Sequence, residues 1–365
     1  MIGRRTLLIG GGAAAIAGGG LIYVGRRDMG SMDDYDAAVA QTRSALVQRP
    51  EANDLIRYAT LAANSHNSQP WRFKVTSNGI DILPDTARRL SAVDPDDHHL
   101  FASLGCAAEN LAIAAAMRGW PGALGFNSTG GGAVNFDGGS VGSAEPALFA
   151  AIPKRQSTRG DYNGKPVSAA DLAKLAAAAA VPGVDLVLIA DRPRINQIRD
   201  LVVAGNSTQI ADAAFMRELK AWLRFNPRHA LTSGDGLFTT TSGNPTLPSW
   251  LGPKMFDLMF KAKAENEKYA RQIASSAGIA VFVAQGEGSG HWVQAGRACQ
   301  RFALAATALG LKHAFLNQPV EVAKFRPELA ALVGMPGRRP DIVMRFGYGP
   351  MLPFSARRPV NAVLA

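Results

Sequence analysis

Two short polar segments contain the side chains best suited to binding or chemistry. The first segment consists of Asn64, Ser65, His66, Asn67, Ser68 and Gln69. The second consists of Arg155, Gln156, Ser157, Thr158 and Arg159. The first offers amides and hydroxyls to the edge of a flat heterocycle, and the second offers two guanidiniums and a hydroxyl to a phosphate. Taken separately, the two are also typical of a capped helix-to-strand loop and of a solvated basic loop.

The neighbouring residues predict which elements carry these segments. The run 54–63 has apolar residues at helical spacing, and its helix should end where Asn and Ser compete for backbone hydrogen bonds. Pro70 bars Gln69 from the α region, and the alternation over 71–75 predicts a strand. Alternate residues of an extended segment face the same way, so three side chains of the second segment can converge on one anion: Arg155, Ser157 and Arg159.

Three further places complete the set of candidate site residues. Leu316 and Asn317 follow a second alanine-rich helix pattern and offer backbone and amide groups to the edge of a ring. Arg357 and Arg358 follow a strand-then-turn pattern near the C-terminus, where they either close the phosphate site or lie on the surface. His66 is the one histidine of the first polar segment. It either hydrogen-bonds a substrate or packs, and we favour packing.

The chain contains an internal repeat. Residues 104–120 align without a gap over residues 295–311, and the alignment pairs two sets of identical glycines, Gly105 with Gly296 and Gly119 with Gly310. Both copies predict helices of small residues that end at a glycine. Such helices can approach closely, so we expect the two to pack against each other at the centre of the molecule. The alternative is that two alanine-rich helices align by chance.

A second match supports the first. Residues 54–59 resemble 171–176, and each predicted helix is followed by a short strand, at 79–83 and 183–187. Only the first half has the polar segment, and only the second has the Arg-x-Ser-x-Arg segment, which alanines replace in the first. We infer an ancestral symmetric dimer that fused into one chain and lost one of its two equivalent sites.

Composition limits the classes of protein. The chain has 365 residues, 47% of them hydrophobic, which is enough for one large core or two domains. Its net charge of +10 is scattered, without a basic run interleaved with aromatics, so no nucleic-acid partner is predicted. Cys106 and Cys299 have no zinc-ligand spacing, so we predict no metal and no disulfide framework. No Gly-x-Gly-x-x-Gly motif follows a strand in the folded region, which argues against a Rossmann dehydrogenase.

Residues 1–32 predict an export signal. Arg4 and Arg5 precede an uninterrupted run of apolar residues and glycine up to Val24, in a pattern that resembles a twin-arginine signal. The run is just long enough to span a bilayer and lacks a clear Ala-x-Ala cleavage site, so the segment is either cleaved or kept as a membrane anchor. We therefore expect the twin-arginine export machinery as a partner, and a location in the periplasm or cell envelope.

Four motifs together resemble the flavin-dependent nitroreductase superfamily, and specifically its double-length branch, the Acg-family FMN-binding oxidoreductases. The motifs are 67–71, 94–101, 155–160 and 345–349, and the resemblance covers roughly residues 54–358. It implies an α+β, nitroreductase-like fold. In the double-length branch, two fused half-repeats would form an intramolecular pseudo-dimer, so we expect a monomer.

The resemblance also implies one FMN site between the two halves. The second half would reach the cofactor through Arg155, Gln156 and Ser157, with Arg159 near the flavin N1–O2 edge. The first half would border the ring through Asn64, Ser65, His66, Asn67 and Gln69, although His66 departs from the small hydroxyl residue that is usual there. Leu316 and Asn317 would face the N5 side, and Arg357 or Arg358 would complete phosphate binding. No side chain need act as an acid or base, because the flavin carries the chemistry.

These expectations lead to a division of the chain and to a function. We divide the folded chain into a first half, 33–150, and a second half, 151–365. Segment 226–253 has no regular period and predicts a lid over the flavin. The main interpretation is an NAD(P)H-dependent oxidoreductase that reduces a small-molecule substrate, a nitroaromatic or quinone, by hydride transfer through FMN. The alternatives are a protein that stores or sequesters FMN without turnover, and a relic that binds no flavin.

Overall fold

Two long alanine-rich helices cross at the centre of the protein, and each belongs to one of two sheet-forming halves. The computed structural model describes residues 29–140 and 142–365. Residues 1–28 of the predicted export signal therefore lie outside the described residues. Helices and strands are both abundant and most strands lie in two antiparallel sheets, which confirms the predicted α+β class.

The first half builds one sheet around one long helix. Its elements are α1 (Met32–Thr42), α2 (Ala52–Thr60), β1 (Trp71–Val75), β2 (Gly79–Pro84), α3 (His98–Ala116), β3 (Gly122–Asn127), β4 (Ala133–Gly138) and α4 (Pro146–Ala151). Helix α2 begins at a capping box, in which the Asp54 carboxylate accepts the backbone N–H of Glu51 at 3.1 Å. It ends at Thr60, just before the polar segment, as the capping argument predicts.

The second half repeats this plan with additions. Its elements are α5 (Ala169–Ala178), β5 (Val184–Ile189), α6 (Arg192–Ala211), α7 (Ala213–Trp222), β6 (Leu223–Arg224), α8 (Pro227–Ser233), β7 (Leu237–Phe238), α9 (Gly252–Met259), α10 (Ala262–Ala274), β8 (Gly278–Ala284), α11 (Ser289–Ala308), β9 (Lys312–Phe315), α12 (Gln318–Glu321), α13 (Arg326–Leu332) and β10 (Ile342–Gly347). We call residues 192–274, which lie between β5 and β8, the helical insertion.

The two four-stranded sheets have the same topology. The spatial order is β1-β2-β4-β3 in the first and β5-β8-β10-β9 in the second, with every pairing antiparallel. In each sheet the long helix, α3 or α11, joins the second strand in chain order to the third. The halves therefore correspond element by element, from α2 and α5 through to β4 and β10.

This topology corrects one match drawn from the sequence. We paired the strand at 79–83 with the strand at 183–187, but the structure makes β1 the counterpart of β5 and β2 the counterpart of β8. The sequence comparison overlooked the true partner because a tight turn joins β1 to β2, whereas the whole helical insertion separates β5 from β8.

The central helices cross at equivalent glycines. Helices α3 and α11 begin at His98 and Ser289, which keep the register of the ungapped repeat when it is extended by six residues toward the N-terminus. A Cβ atom built on Gly105 would lie 2.0 Å from the Val293 carbonyl oxygen, and one built on Gly296 would lie 1.9 Å from that of Ala102. The expected close packing of these helices is confirmed. Among the described residues, α3 is the helix long and apolar enough to cross a membrane, and it is buried in this core instead.

The second sheet is covered on both faces. Alternate residues of β8 enter different apolar clusters: Ala280 and Phe282 pack toward the central helices, whereas Ile279 and Val281 pack toward the insertion and α13. Strands β8 and β10 are buried throughout for this reason. In the first sheet β3 alternates between half-buried and exposed residues, which is typical of a sheet with one face on the core.

Segment 226–253, in which the sequence has no regular period, contains short ordered elements. Asn226 caps α8 by accepting the backbone N–H of His229 at 2.8 Å, and Gly234 ends the helix with a left-handed φ of 64°. Strand β7 then pairs with β6. These elements are too short, at seven and two residues, to produce a recognisable period.

Candidate functional site

A cavity of about 550 Å³ lies where the polar segment of the first half meets the helical insertion of the second. Volumes of this size are typical of small-molecule and cofactor sites. Five of the predicted site residues line it: Asn64, Ser65, His66, Arg159 and Asn317. Helices α3 and α11 supply its inner wall with Cys106 and Cys299, and the insertion supplies an apolar wall that includes Phe238, Leu247, Met255, Phe256 and Phe260.

The polar segment is held in an unusual backbone conformation. His66, Asn67 and Gln69 have φ values of 49°, 52° and 52°, which non-glycine residues seldom adopt. The Asn64 side chain fixes this turn, because its Oδ1 accepts the Gln69 backbone N–H at 2.9 Å. Strained backbone of this kind is concentrated at functional sites. The loop therefore holds Asn64, Ser65 and His66 against the cavity.

His66 lies in the cavity wall as a neutral side chain. Burial, together with the nearby charges of Arg159 and His99, lowers the pKa of its imidazole to about 4. The Arg159 guanidinium also has a pKa lowered by burial. Because His66 comes from the first half and Arg159 from the second, the two polar segments meet across this cavity.

Asn67 and Gln69 have structural contacts rather than places on the cavity wall. The Asn67 amide donates to the carbonyls of Gly236 and Ala356, each at 3.1 Å. The Gln69 side chain donates to the Gly234 carbonyl at 2.9 Å and accepts the Arg358 backbone N–H at 2.9 Å. These two residues therefore tie the insertion and the C-terminal segment to the polar loop.

The arginine segment alternates as an extended chain should. Gln156 faces the C-terminal segment, where its side chain donates to the Leu352 carbonyl at 2.7 Å and accepts the Leu352 N–H at 3.0 Å. Arg155 faces the other way and donates from Nη2 to the Leu61 carbonyl at 3.0 Å. Ser157 pairs with His313 of β9 through its backbone. Gln156 thus contacts the C-terminal segment, whereas Arg155 is directed to the end of α2 in the first half.

Arg155 belongs to a cluster of three arginines. We call Arg43, Arg155 and Arg357 the arginine cluster. Within residues 29–140 and 142–365, none of the three forms an ion pair with a carboxylate. Burial lowers the pKa of Arg155 to about 10 and that of Arg357 to about 9, and the charge of Arg155 contributes to the shift of Arg357.

The cluster has unsatisfied donors. Arg155 is 3% exposed, yet its Nε and Nη1 atoms have no hydrogen-bond partner among the described residues. Buried guanidinium donors are costly when unpaired, so this position favours an anion that can accept hydrogen bonds from them. Cys106 and Cys299, whose thiols act electrostatically on Arg155, line the cavity, so the guanidinium lies next to its inner wall. This arrangement fits a ligand that has an anionic group at one end and a ring in the cavity.

The two C-terminal arginines have different environments. Arg357 donates to the Asn67 Oδ1 at 2.8 Å and to the Thr60 carbonyl at 2.7 Å, which brings the C-terminal segment, the polar loop and the end of α2 together. Arg358 instead pairs with Asp85 at 3.5 Å and contacts the Ala362 carbonyl. Of the pair left open by the sequence, Arg357 is therefore the member of the cluster.

Leu316 and Asn317, which follow β9, also have different environments. Leu316 is buried in the apolar cluster behind the second sheet. Asn317 lines the cavity, and its amide is hydrogen-bonded to His99 at 3.0 Å and to the Val343 backbone N–H at 2.9 Å.

Sequence reasoning overlooked several residues at the site. Arg43 lies outside the recognised motifs, and its place in the cluster depends on the packing of α1. His99 and Glu321 line the cavity from α3 and α12. A signal existed for His99, because it belongs to the motif 94–101, but nothing in the spacing indicated that it faces a cavity.

The chain is similar to known proteins over most of its length. The model of the nitroreductase family matches residues 152–349. The putative NAD(P)H nitroreductase Rv3131 of Mycobacterium tuberculosis is 26% identical over 333 residues, which cover 86% of this chain and 92% of that protein.

Solved structures give weaker similarities. A nitroreductase with bound FMN from Desulfitobacterium hafniense aligns with a TM-score of 0.39 and 15% identity, over 60% of this chain and 98% of its own. The FMN-dependent nitroreductase NfnB of Mycobacterium smegmatis, in complex with NADPH, aligns with a TM-score of 0.38 and 14% identity, over 60% and 91%.

Because the family model matches more than half of the chain, the protein belongs to the nitroreductase family. The predicted superfamily and its α+β fold are thereby confirmed.

Proposed function

We propose that the protein is an FMN-binding, NAD(P)H-dependent oxidoreductase of the double-length, Acg-type branch. The observation that carries the proposal is the arginine cluster, in which two nitrogen atoms of buried Arg155 have no partner within the described part of the chain, beside a cavity of about 550 Å³. The phosphate of FMN satisfies such donors, and its ring system is of the size that such cavities accommodate. The relative from Mycobacterium tuberculosis, described as an NAD(P)H nitroreductase, supports the same class of activity.

Each side chain then has a defined task. Arg155, Arg357 and Ser157 would hold the phosphate, with Arg43 adding positive charge behind them. Arg159 would lie against the ring, where a cation favours negative charge on the cofactor. Asn64, Ser65 and Asn317 would orient the ring edge through hydrogen bonds. Bound FMN supplies the hydride chemistry, and the protein supplies position and charge.

The helical insertion would complete the site on its open side. Its apolar residues would exclude water and offer a surface on which a flat substrate could stack, which suits nitroaromatics and quinones. The same coverage supports the second candidate function, FMN storage, if the insertion blocks access for nicotinamide. The position of the insertion in the cavity wall is the observation that favours the storage function.

The wider setting is also part of the proposal. The matching topology of the two sheets and the equivalent glycine crossing support a fused, intramolecular pseudo-dimer that acts as a monomer. The arginine pair before an apolar run supports twin-arginine export to the periplasm or cell envelope, with residues 1–32 as cleaved signal or anchor.

The experiment is a visible absorption spectrum of the purified protein, recorded before and after addition of NADPH and then of a nitroaromatic or quinone. The oxidoreductase predicts flavin bands that bleach with NADPH and return with the acceptor. Bands that stay unchanged with NADH and NADPH, but bleach on photoreduction, would indicate storage. Absence of flavin after reconstitution with FMN would contradict both functions.

A further inference from the structure

A chain of hydrogen bonds leads from the cavity into the core. The Asn317 Nδ2 lies 3.0 Å from His99 Nε2, and His99 Nδ1 lies 2.9 Å from His98 Nδ1. His98 Nε2 then lies 2.8 Å from Asp341 Oδ1. Asn317 and His99 line the cavity, whereas His98 and Asp341 are 0% and 1% exposed. The chain thus joins a cavity surface to a carboxylate at the start of β10.

Backbone donors at both ends fix the direction of every bond. The Val343 N–H donates to Asn317 Oδ1, so the Asn317 amide must donate from Nδ2 to His99 Nε2. His99 then carries its proton on Nδ1 and donates to His98 Nδ1. His98 consequently carries its proton on Nε2 and donates to Asp341, whose other oxygen accepts the Ala284 N–H. One arrangement of protons satisfies all these atoms, and it requires an ionised Asp341.

We infer that Asp341, His98 and His99 form a proton relay that stores one proton for the cavity. When the Asn317 amide releases His99 Nε2 and this nitrogen accepts a proton from the cavity, the Nδ1 proton of His99 passes to His98 Nδ1, and the Nε2 proton of His98 passes to Asp341. Each imidazole ends neutral with its proton on the other nitrogen, and the stored proton resides on the carboxyl group. Return of that proton reverses every step, so atoms and charge balance.

The relay moves a proton without placing a positive charge on the buried His98 ring. Burial, with the charges of His99 and Arg339, holds the pKa of His98 well below its usual range, so an imidazolium is disfavoured. Burial raises the pKa of Asp341 to about 6, within the range where a carboxyl group exchanges a proton near neutral pH. The proton is therefore stored at the end of the chain rather than on a ring.

Other charged groups surround the relay without interrupting it. Asp94 accepts the N–H groups of His99 and Leu100 at 2.9 and 2.8 Å, so its carboxylate serves the start of α3. Glu321 Oε1 lies 3.8 Å from His99 Nε2, and burial raises the pKa of this carboxyl. The remaining groups that act on these residues are His66, Asp96, Arg338 and Arg339.

A proton store has a use in the proposed function, on which this part of the inference rests. Reduction of a quinone or nitro group by hydride transfer also consumes protons, and the insertion limits contact between the cavity and bulk water. His99 would exchange the proton at the cavity, while His98 and Asp341 are positioning residues.

The first test reads histidine tautomers by ring ¹⁵N NMR and needs no flavin. We expect the Nδ1–H tautomer at His99 and the Nε2–H tautomer at His98 in the native protein at pH 8. In Asp341→Asn, the amide oxygen should still accept the Ala284 N–H, so the amide N–H₂ group should face His98. His98 Nε2 must then accept a hydrogen bond, and the proton of His98 should move to its Nδ1. The matched control Asp137→Asn, at an exposed strand position, should leave both tautomers unchanged. The relay would be contradicted if the native protein had the opposite tautomers, or if Asp341→Asn kept the native ones.

A second variant acts from the cavity end, in case Asp341→Asn does not fold. Asn317→Asp replaces the donor at His99 Nε2 with an acceptor, so the proton of His99 should move to Nε2 and that of His98 to Nδ1. A change confined to His99 would overturn the relay. In holoprotein that turns over, Asp341→Asn should lower kcat about a hundredfold at a neutral pH and remove its dependence on a group near pH 6. If the protein binds no flavin, the NMR measurement still tests the relay. Failure of the proposed function can therefore be distinguished from failure of the relay.

Discussion

The two halves of the protein share one plan, and they differ in what they insert into it. The first sheet has only a tight turn between β1 and β2, but a polar loop lies between α2 and β1. The second has a short connection between α5 and β5, but the helical insertion lies between β5 and β8. Residues of the loop and of the insertion both line one cavity. A repeated fold thus provides one site, because each half contributes what the other lacks.

We expect the largest effect from a substitution in the arginine cluster. Replacing Arg155 with Gln removes the charge and leaves the other two arginines. Loss of one member of a buried, hydrogen-bonded charge pair costs about 2–5 kcal/mol, so FMN affinity should fall by at least thirtyfold. Titration of FMN into the apoprotein, followed by flavin fluorescence, measures the change. Arg49→Gln at an exposed site is the control, and an equal loss in both variants would refute the assignment.

The glycine crossing tests whether the two central helices are equivalent. Gly105→Ala and Gly296→Ala each place a Cβ about 2 Å from a carbonyl oxygen of the other helix, and overpacking of this kind costs about 1–3 kcal/mol. We expect similar losses in the free energy of unfolding by urea. Gly125→Ala, where a Cβ meets open space, should change stability little. A loss in one of the two helix variants alone would break the symmetry.

His66 tests the polar loop through pH. Its pKa in the folded protein is about 4 against 6.5 for the ordinary group, so protonation favours the unfolded state. Stability from this residue is fully present above pH 6.5 and is lost as the pH falls toward 4. Urea unfolding should therefore be less dependent on pH in His66→Gln over this range. Equal slopes in the variant and the native protein would show that His66 titrates normally.

Arg358 should give the smallest effect, in contrast to its neighbour Arg357. Arg358→Gln removes a partly exposed pair with Asp85, which is worth about 0–1 kcal/mol and should leave FMN affinity unchanged. Arg357→Gln should weaken FMN binding, because this residue belongs to the arginine cluster. Isothermal calorimetry with FMN compares the two, and a stronger effect from Arg358 would reverse our choice between them.

Local patterns predicted the parts of the molecule that depend on local chemistry. The ungapped repeat located α3 and α11 and their glycines, and the polar loop and Arg159 lie at the cavity as expected. Asn67, Gln69 and Gln156 instead bond to backbone groups of the insertion and C-terminal segment, which spacing alone does not reveal. Arg43 and the histidine relay depend on how distant elements pack. The correspondence of strands was misjudged because the insertion hides it from an alignment.

The number of FMN molecules bound per chain tests directly whether the two halves share a single site. We predict one FMN per purified, reconstituted chain, because among the described residues one cavity has the polar loop in its wall and the arginine cluster beside it. Absorbance of released flavin, set against protein concentration from amino-acid analysis, gives this ratio. A ratio near one supports a single site shared by both halves, whereas a ratio near two, or no retained flavin, would contradict it.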